Sequence, residues 1–484
     1  MLQPENSNDQ ARWQHTRLRR NILQGTFEME VQDRMREQMG LTNVGNLGRP
    51  STSVNLLANT TSQTAIIYDA AATVTNPAFD PEQAKCWGEC VEGSHLWGIM
   101  QDVCSKTVGL RECFLWVVPT ASGMQMEIVT PDEIVVEKTT GDASTPTALR
   151  RAVTFSVTNK LTGKVENIDT WDCFDVSDPA NPVHRVIDGE GKDITADVYP
   201  EDTGVYLYTD DQGPYLPCVL YRARYTGDTF DPYWGSALVH GTLDISIAWS
   251  VWSICLRNNS WPQWYLVDGV VPGTSIADSP NIIDGVNPPP DTISLAPNSI
   301  LRFKSEGGPG TAKIGQLQAA DAKSMAEAIM VLQNTILQNV GVHPADLENA
   351  GQPQSGVAIQ LKKASSRKIA TSMVPMFRDA DTKLYNVMAR VHNRFYADAE
   401  QGIPLLPTEG WQINYNLPEM STDEFLSDLS KDETLIEMGL LSKVDVAMKF
   451  YSLTDPAAAV RKLQEVAQFN TMFPFTPPAT KAKF

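Results

Sequence analysis

The chain has 484 residues, 42% of them hydrophobic and 20% charged, and 39 Lys and Arg face 58 Asp and Glu for a formal net charge of −19. That length allows two to four domains or one elaborate unit, and the composition is that of a globular protein. The acidic balance excludes a protein that grips nucleic acid by general electrostatic attraction, which needs clustered cations, but not one past which DNA slides. The cysteines Cys86, Cys90, Cys104, Cys113, Cys173, Cys218 and Cys255 are odd in number and scattered, which predicts free thiols and a reducing compartment at synthesis. The first residues lack the basic and apolar architecture of a signal peptide. The longest apolar helical run, 245–256, contains several serines and is too short for a bilayer, so no membrane association is expected.

Residues 1–40 carry Arg12, Arg17, Arg19, Arg20, Arg34 and Arg36 on one or two amphipathic helices. They read as a solvated surface, or as a contact for an acidic partner. A Gly, Pro and Ser connector covers 43–53. The region 54–109 is helical in pattern: an apolar stretch includes Leu56, Leu57, Ile66, Ile67 and Ala70, and one helix is expected over 81–108. A β-rich block follows, with 113–118 as a buried strand, 131–137 as a turn feeding a strand, and further strands near 124–129, 152–157, 166–174, 183–187, 204–208 and 216–221. Turns are expected at 160–164 and 188–192.

A helix is predicted over 236–258, apolar around much of its circumference and therefore covered on more than one side. Residues 261–317 form a β-rich insertion with strands near 263–267, 292–295 and 300–303. A second helix follows, with Ala322, Met325, Ala326, Ile329, Leu332, Ile336 and Val340 on an apolar face and Lys323, Glu327, Asn334 and Gln338 on another. It stops at Gly341. Turn formers fill 342–355, Ser355 stands at an N-cap position, and a long helix containing Pro375 runs to Phe395. An alternating strand over 411–416 and a helical region opened by the capping box Ser421 to Glu424 complete the chain, before a proline-containing tail that cannot be helical.

Catalytic and metal motifs are wanting. The glycine-rich stretch 307–313 has no Gly-Lys-Ser/Thr and reads as a turn. Cys86 and Cys90 lie four apart, with His95 nearby, and without a further ligand they read as core thiols. The loop 188–192 lacks the alternating ligands of a calcium loop. The acidic pair Asp379 and Asp381 is of a kind expected by chance in so acidic a chain. No catalytic residue, metal site or cofactor is expected, and the chain is not read as an enzyme.

The segment from Leu216-Pro217 through Trp234-Gly235-Ser236, the 236–258 helix and the 261–317 insertion occur in a characteristic order. With them go Val340-Gly341-Val342-His343-Pro344, Gln354-Ser355-Gly356-Val357 and Gly439-Leu440-Leu441-Ser442. In that order and spacing the chain resembles the portal proteins of tailed bacteriophages. The resemblance implies an α+β portal fold with wing, stem, clip and crown regions, assembling as a ring, typically of twelve subunits, around a central channel.

The implied divisions are 1–235 for an N-terminal region and wing, 236–258 for the first stem helix, 259–318 for the clip, and 319–341 for the second stem helix. Residues 342–355 would be the tunnel loop, 356–418 a kinked long helix with a wing strand, and 419–484 a helical crown and tail. Val342, His343, Pro344, Asp346, Glu348, Asn349, Gln352, Gln354 and Ser355 would then line the DNA channel. Lys362, Lys363, Arg367 and Lys368 would form a cationic ring, or else an exposed helix face. Gly341, Gly356 and Pro375 would be hinges or kinks. Trp264, Asp268, Asp284, Arg302 and Lys304 would contact terminase or an adaptor. Implied partners are double-stranded DNA, the large terminase subunit, major capsid and scaffolding proteins, and head-completion proteins. The implied location is the virion's portal vertex, with the host cytoplasm during assembly. An acidic lumen repels the DNA backbone and lets it slide. A head–tail adaptor or baseplate component is the alternative reading.

Overall fold

A computed structural model of the chain describes residues 2–39, 49–143, 145–158, 165–199, 206–231, 236–260, 264–267, 300–303, 313–316, 321–342, 356–398, 400, 402–417, 430, 432–439, 441–450 and 456–472. At 264–267, 300–303, 313–316 and 356–365 the description is of backbone alone. The chain divides into two units, one of Met1–Asn349 with Lys363–Leu417, the other of Ala350–Lys362 with Pro418–Phe484.

The first unit opens with helices α1 (Ser7–Leu23), α2 (Glu28–Met39) and α3 (Leu56–Thr64). The expected apolar helix beyond Thr64 does not form: α3 stops there, and Ile67 and Tyr68 are buried from a turn instead. Strand β1 (Thr73–Thr75) follows, then α4 (Pro81–Gly93) and α5 (Leu96–Leu110). The single helix expected over 81–108 is therefore two, broken where His95 adopts a left-handed φ of 51°. A full capping box, Asp80 with Gln83, starts α4.

Strands β2 (Glu112–Thr120) and β3 (Gly123–Val129) lead through a 3-10 turn, Pro131–Glu133, to β4 (Ile134–Thr139), β5 (Pro146–Thr158), β6 (Val165–Asp175) and β7 (Val183–Asp188). A short helix, α6 (Thr195–Val198), and the small strands β8 (Thr209–Asp210) and β9 (Gly213–Pro214) precede β10 (Cys218–Arg222). No strand spans the described part of 204–208; Tyr206 and Tyr208 pack as core aromatics instead. Two antiparallel sheets result, in the orders β10-β2-β3 and β4-β5-β6-β7.

β2 explains the run Cys113-Phe114-Leu115-Trp116-Val117. Its odd-numbered residues face a helical core with α4 and α5, while Phe114 and Trp116 face a second core with Leu149, Phe174 and Leu220. A strand covered on both faces reads as a continuous apolar run rather than an alternation.

The arginines of α1 are neither solvated nor waiting for another protein. Arg12 donates to the carbonyls of Pro131 and Ile134, Arg17 and Arg20 meet the buried Asp132, and Arg19 donates to the Gly109 carbonyl at 3.0 Å. The acidic partner of this basic helix is the chain itself.

Helix α7 (Ser236–Ser260) comes next. Strands β11 (Trp264–Val267), β12 (Ile300–Phe303) and β13 (Lys313–Gln316) form a sheet ordered β12-β11-β13, with β11 parallel to β12 and antiparallel to β13. Strand β13 is absent from the sequence reading, and the expected strand at 292–295 lies outside the described residues. Helix α8 (Ala322–Asn339) packs on α7, and α9 (Gly356–Phe395) then runs through Pro375 without a break in the helix. The last strand of the unit, β14 (Gln412–Asn414), pairs with β1.

The second unit contains α10 (Lys443–Phe450) and α11 (Pro456–Met472), packed together through buried Ala447 and Ala459. Ser442 caps α10, its hydroxyl accepting from the Asp445 amide at 3.1 Å while Asp445 accepts from the Ser442 amide at 2.9 Å. The expected capping box at Ser421 and Glu424 and the tail beyond Met472 lie outside the described residues.

Candidate assembly surface and channel segment

The predicted stem is a pair of antiparallel helices whose register two contacts define. Gly241 of α7 lies against Ile336 of α8, so closely that a Cβ at 241 would sit 2.8 Å from Ile336 Cδ1. Fifteen or so ångströms farther along, by helical rise, the Trp252 indole donates to the Ala322 carbonyl at 2.7 Å.

Helix α7 is covered on more than one side within the chain, as its apolar circumference predicts. Leu238, Val239, Thr242, Leu243, Ile245, Ser246, Ile247 and Ser250 are already buried, against α1, α2, α3 and α8 of the same chain. Its buried hydroxyls are satisfied locally: Thr242, Ser246 and Ser250 donate to the carbonyls four residues back at 2.7, 2.8 and 2.6 Å. The Ser250 hydroxyl also accepts from the Ser51 amide at 2.8 Å. The segment Ala237–Leu256 is longer and more apolar than the 245–256 run suggested, enough to cross a membrane by length and composition alone, and half of it is buried inside the protein.

Exposed apolar side chains lie on α8, among other places. Ile329 and Leu337 are buried against α7, whereas Met330 is 50% exposed, Val331 65% and Leu332 41%. Leu332, expected on the covered face, is thus on the open one. Lys323, Glu327, Asn334 and Gln338 are exposed as the periodicity predicts. Leu256, near the end of α7, adds another exposed apolar side chain.

Helix α8 closes with a Schellman motif. The Gly341 amide donates to the Gln338 carbonyl at 3.0 Å and the Val342 amide to the Leu337 carbonyl at 3.1 Å, with Gly341 at φ +79°. Val342 is 1% exposed and Leu337 fully buried. Val342, expected along the channel, stands in the helix cap. His343, Pro344, Asp346, Glu348, Asn349, Gln352, Gln354 and Ser355 lie outside the described residues.

Gly356 begins α9. Lys362 and Lys363 are on that helix, with side chains outside the description. Of the other two proposed cations, Lys368 is exposed and Arg367 half-buried. Trp264 is the first residue of β11, paired with Ile300 and Gln316, and Arg302 pairs with Leu266. Asp268, Asp284 and Lys304 lie outside the described residues.

Three polar clusters lie elsewhere in the first unit. Asp381, fully buried on α9, accepts hydrogen bonds from the hydroxyls of Tyr68, Tyr221 and Tyr415 at 2.6 to 2.8 Å. Desolvation pushes its carboxyl up to about 6 against the pull of those donors. Its neighbour Asp379 is exposed and pairs with Lys383, so the two carboxylates do not act together.

A cleft of about 470 Å³ is lined by Arg12, Arg19 and Arg111 together with Asp9, Glu112, Asp228 and Asp231. Burial lowers Arg19 to about 10 and Arg111 to about 9 and raises Glu112 to about 8. The opposed charges roughly cancel, so the cleft presents no net charge of either sign to a ligand.

The third cluster differs from the sequence reading. His95 does not join Cys86 and Cys90; it stands at the break before α5. His392, three hundred residues away in sequence, takes that place, with Nε2 3.5 Å from Cys86 Sγ and Nδ1 3.5 Å from Cys90 Sγ. Desolvation pushes the Cys90 thiol up to about 12 and holds His392 below its usual range, so neutral groups face one another. No local signal in the sequence connects these residues. The expected turn at 188–192 is present, and the Asp188 carboxylate is occupied by the Glu190 and Lys192 amides at 2.9 and 2.8 Å.

No protein-family model and no curated protein matches the chain. Among solved structures, a chain from the virion of a native gene transfer agent particle is similar at 13% identity, covering 84% of this chain and 92% of that one with a TM-score of 0.35. A chain from the neck of an empty gene transfer agent particle is similar at 12% identity, covering 86% and 94%, with a TM-score of 0.36.

Proposed function

We propose that this chain is a structural protein of a phage-like virion, and specifically a portal subunit that assembles into a ring for DNA passage. The observation that carries the reading is the open face of α8. Met330, Val331 and Leu332 are exposed across the outward arc of a helix whose other face is already packed, with Lys323, Glu327, Asn334 and Gln338 exposed among them. Each is about half exposed, so covering it is worth about half of the roughly 1.5–3 kcal/mol of a full burial. A neighbouring copy bringing the same helix pair supplies the missing cover, and repetition of such a contact about an axis closes a ring.

Two further features support it. A three-stranded sheet is inserted between two antiparallel helices, which suits a projecting clip on a helical stem. The net charge of −19 disfavours retention of DNA along the conduit. In this reading the chain performs no chemistry: terminase supplies ATP hydrolysis and docks on the clip, and head-completion proteins later take its place. The constriction is assigned, by the resemblance alone, to the tunnel loop at 342–355.

Deleting Pro344 to Gln352 tests the division of labour. Rings should still assemble, while packaging or DNA retention falls; loss of assembly with no other defect would refute the tunnel-loop assignment.

A further inference from the structure

The geometry points to a metal site in the first unit, in which Cys86, Cys90 and His392 bind a zinc ion and clamp α4 to the end of α9. Cys86 and Cys90 are four residues apart on α4 and therefore project from one face of that helix. His392 comes from the last turn of α9 and is 3% exposed. One donor atom from each residue lies within 4.8 Å of the other two. The imidazole offers one nitrogen to one ion, so the spacing that counts is the 3.5 Å between Cys90 Sγ and Nδ1; Cys86 Sγ lies 3.5 Å from the other ring nitrogen, Nε2. Bonds of about 2.3 Å to sulfur and 2.0 Å to nitrogen in a tetrahedral site place S and N ligands about 3.5 Å apart.

The surroundings supply what a ligating imidazole needs. Nε2 lies 3.2 Å from the Pro404 carbonyl oxygen, an acceptor that fixes the proton on that nitrogen. The Nδ1 lone pair is then directed to the side of Cys90 Sγ. A backbone carbonyl on the far ring nitrogen is the usual means of orienting a metal-bound histidine.

Two thiolates and an imidazole are a soft donor set that suits zinc over calcium or magnesium. Binding releases both thiol protons to solvent, leaving two Zn–S bonds and one Zn–N bond. Cys86 is only half-buried, so water reaches the fourth position. A disulfide is the poorer use of the pair, because two residues one helical turn apart leave its geometry strained.

The test uses the full chain, stripped with a chelator under reducing conditions and titrated with Co²⁺ as the spectroscopic probe. A thiolate-to-cobalt charge-transfer band and tetrahedral d–d bands should appear, saturate at one ion per chain and be displaced by Zn²⁺. Cys86→Ser and His392→Gln each remove a ligand and should weaken binding by more than the roughly 10- to 100-fold that loss of an outer-shell partner costs, and Cys86→Ser with Cys90→Ser should abolish the bands. Zinc should raise the melting temperature of the unmodified chain and not that of the double variant. Absence of the bands in the unmodified chain overturns the proposal, as does their persistence in the double variant. Should the double variant fail to fold, alkylation of the unmodified chain decides: zinc must slow labelling of Cys86 as mapped by mass spectrometry, and unchanged labelling refutes the site.

Discussion

Asp381 shows how a single buried carboxylate organises the core of the first unit. Three tyrosines from separate segments, Tyr68, Tyr221 and Tyr415, converge on it, and the aromatic rings of Tyr68 and Tyr221 also pack on Phe377 one turn earlier in α9. Asp381→Asn keeps the shape but replaces an acceptor oxygen by a donor that faces a hydroxyl, and should cost about 1–3 kcal/mol of stability. The pH dependence has a definite sign. The folded chain keeps the Asp381 proton up to about 6, whereas an unfolded aspartate releases it near about 4. Between those values folding takes up a proton, so stability falls as the pH rises through the window and levels off above it. Denaturant unfolding of the native chain and Asp381→Asn from pH 4 to 7 should show their difference shrinking over that interval. A difference that grows would mean that tyrosine donation outweighs desolvation.

At the scale of elements, the contact between α7 and α8 is the one on which the proposed stem depends. A methyl group at position 241 would meet three carbons of Ile336 at 2.8, 2.9 and 3.3 Å. Overpacking of this kind costs about 1–3 kcal/mol, offset by about 1 kcal/mol of helix propensity gained on leaving glycine. The coupling is the sharper quantity: Gly241→Ala and Ile336→Ala in a double-mutant cycle should differ from additivity by about 1–2 kcal/mol, and additive effects would show that the helices do not meet there.

Both of these helices, and the buried strand β2, were legible in the sequence because each carries its own pattern: long apolar periodicity ended by Gly341, or an unbroken apolar run. The features that escaped depend on partners distant in the chain. Within 81–108 the break at His95 is marked only by Gly93 two residues before it, the last residue of α4, and Gly88 and Gly98 in the same stretch do not end a helix. β1 is three residues long and pairs with β14 across most of the chain. The α1 arginines look solvated until Asp132 is seen beneath them, and His392 has no local tie to Cys86 and Cys90. At Val342 a helix cap and a loop use the same residues, Gly341 with an apolar follower, so sequence alone does not tell them apart. Most of the proposed channel loop and clip lies outside the described residues.

At the scale of the whole molecule, the account makes the open face of α8 a subunit interface. Val331, 65% exposed, provides a substitution that separates assembly from folding. Val331→Glu should leave the thermal unfolding of the subunit within about 0.5 kcal/mol of the unmodified chain, yet place a charge in the contact between copies and shift the protein from rings to monomers in sedimentation velocity. Rings that persist unchanged would move the interface to another surface. The central claim is assembly itself, and native mass spectrometry of the purified chain over a range of salt concentrations, with class-averaged electron micrographs of the same samples, tests it most directly. A closed ring of one dominant stoichiometry with a central channel in axial views is expected; a monodisperse monomer at every salt concentration would overturn the portal reading.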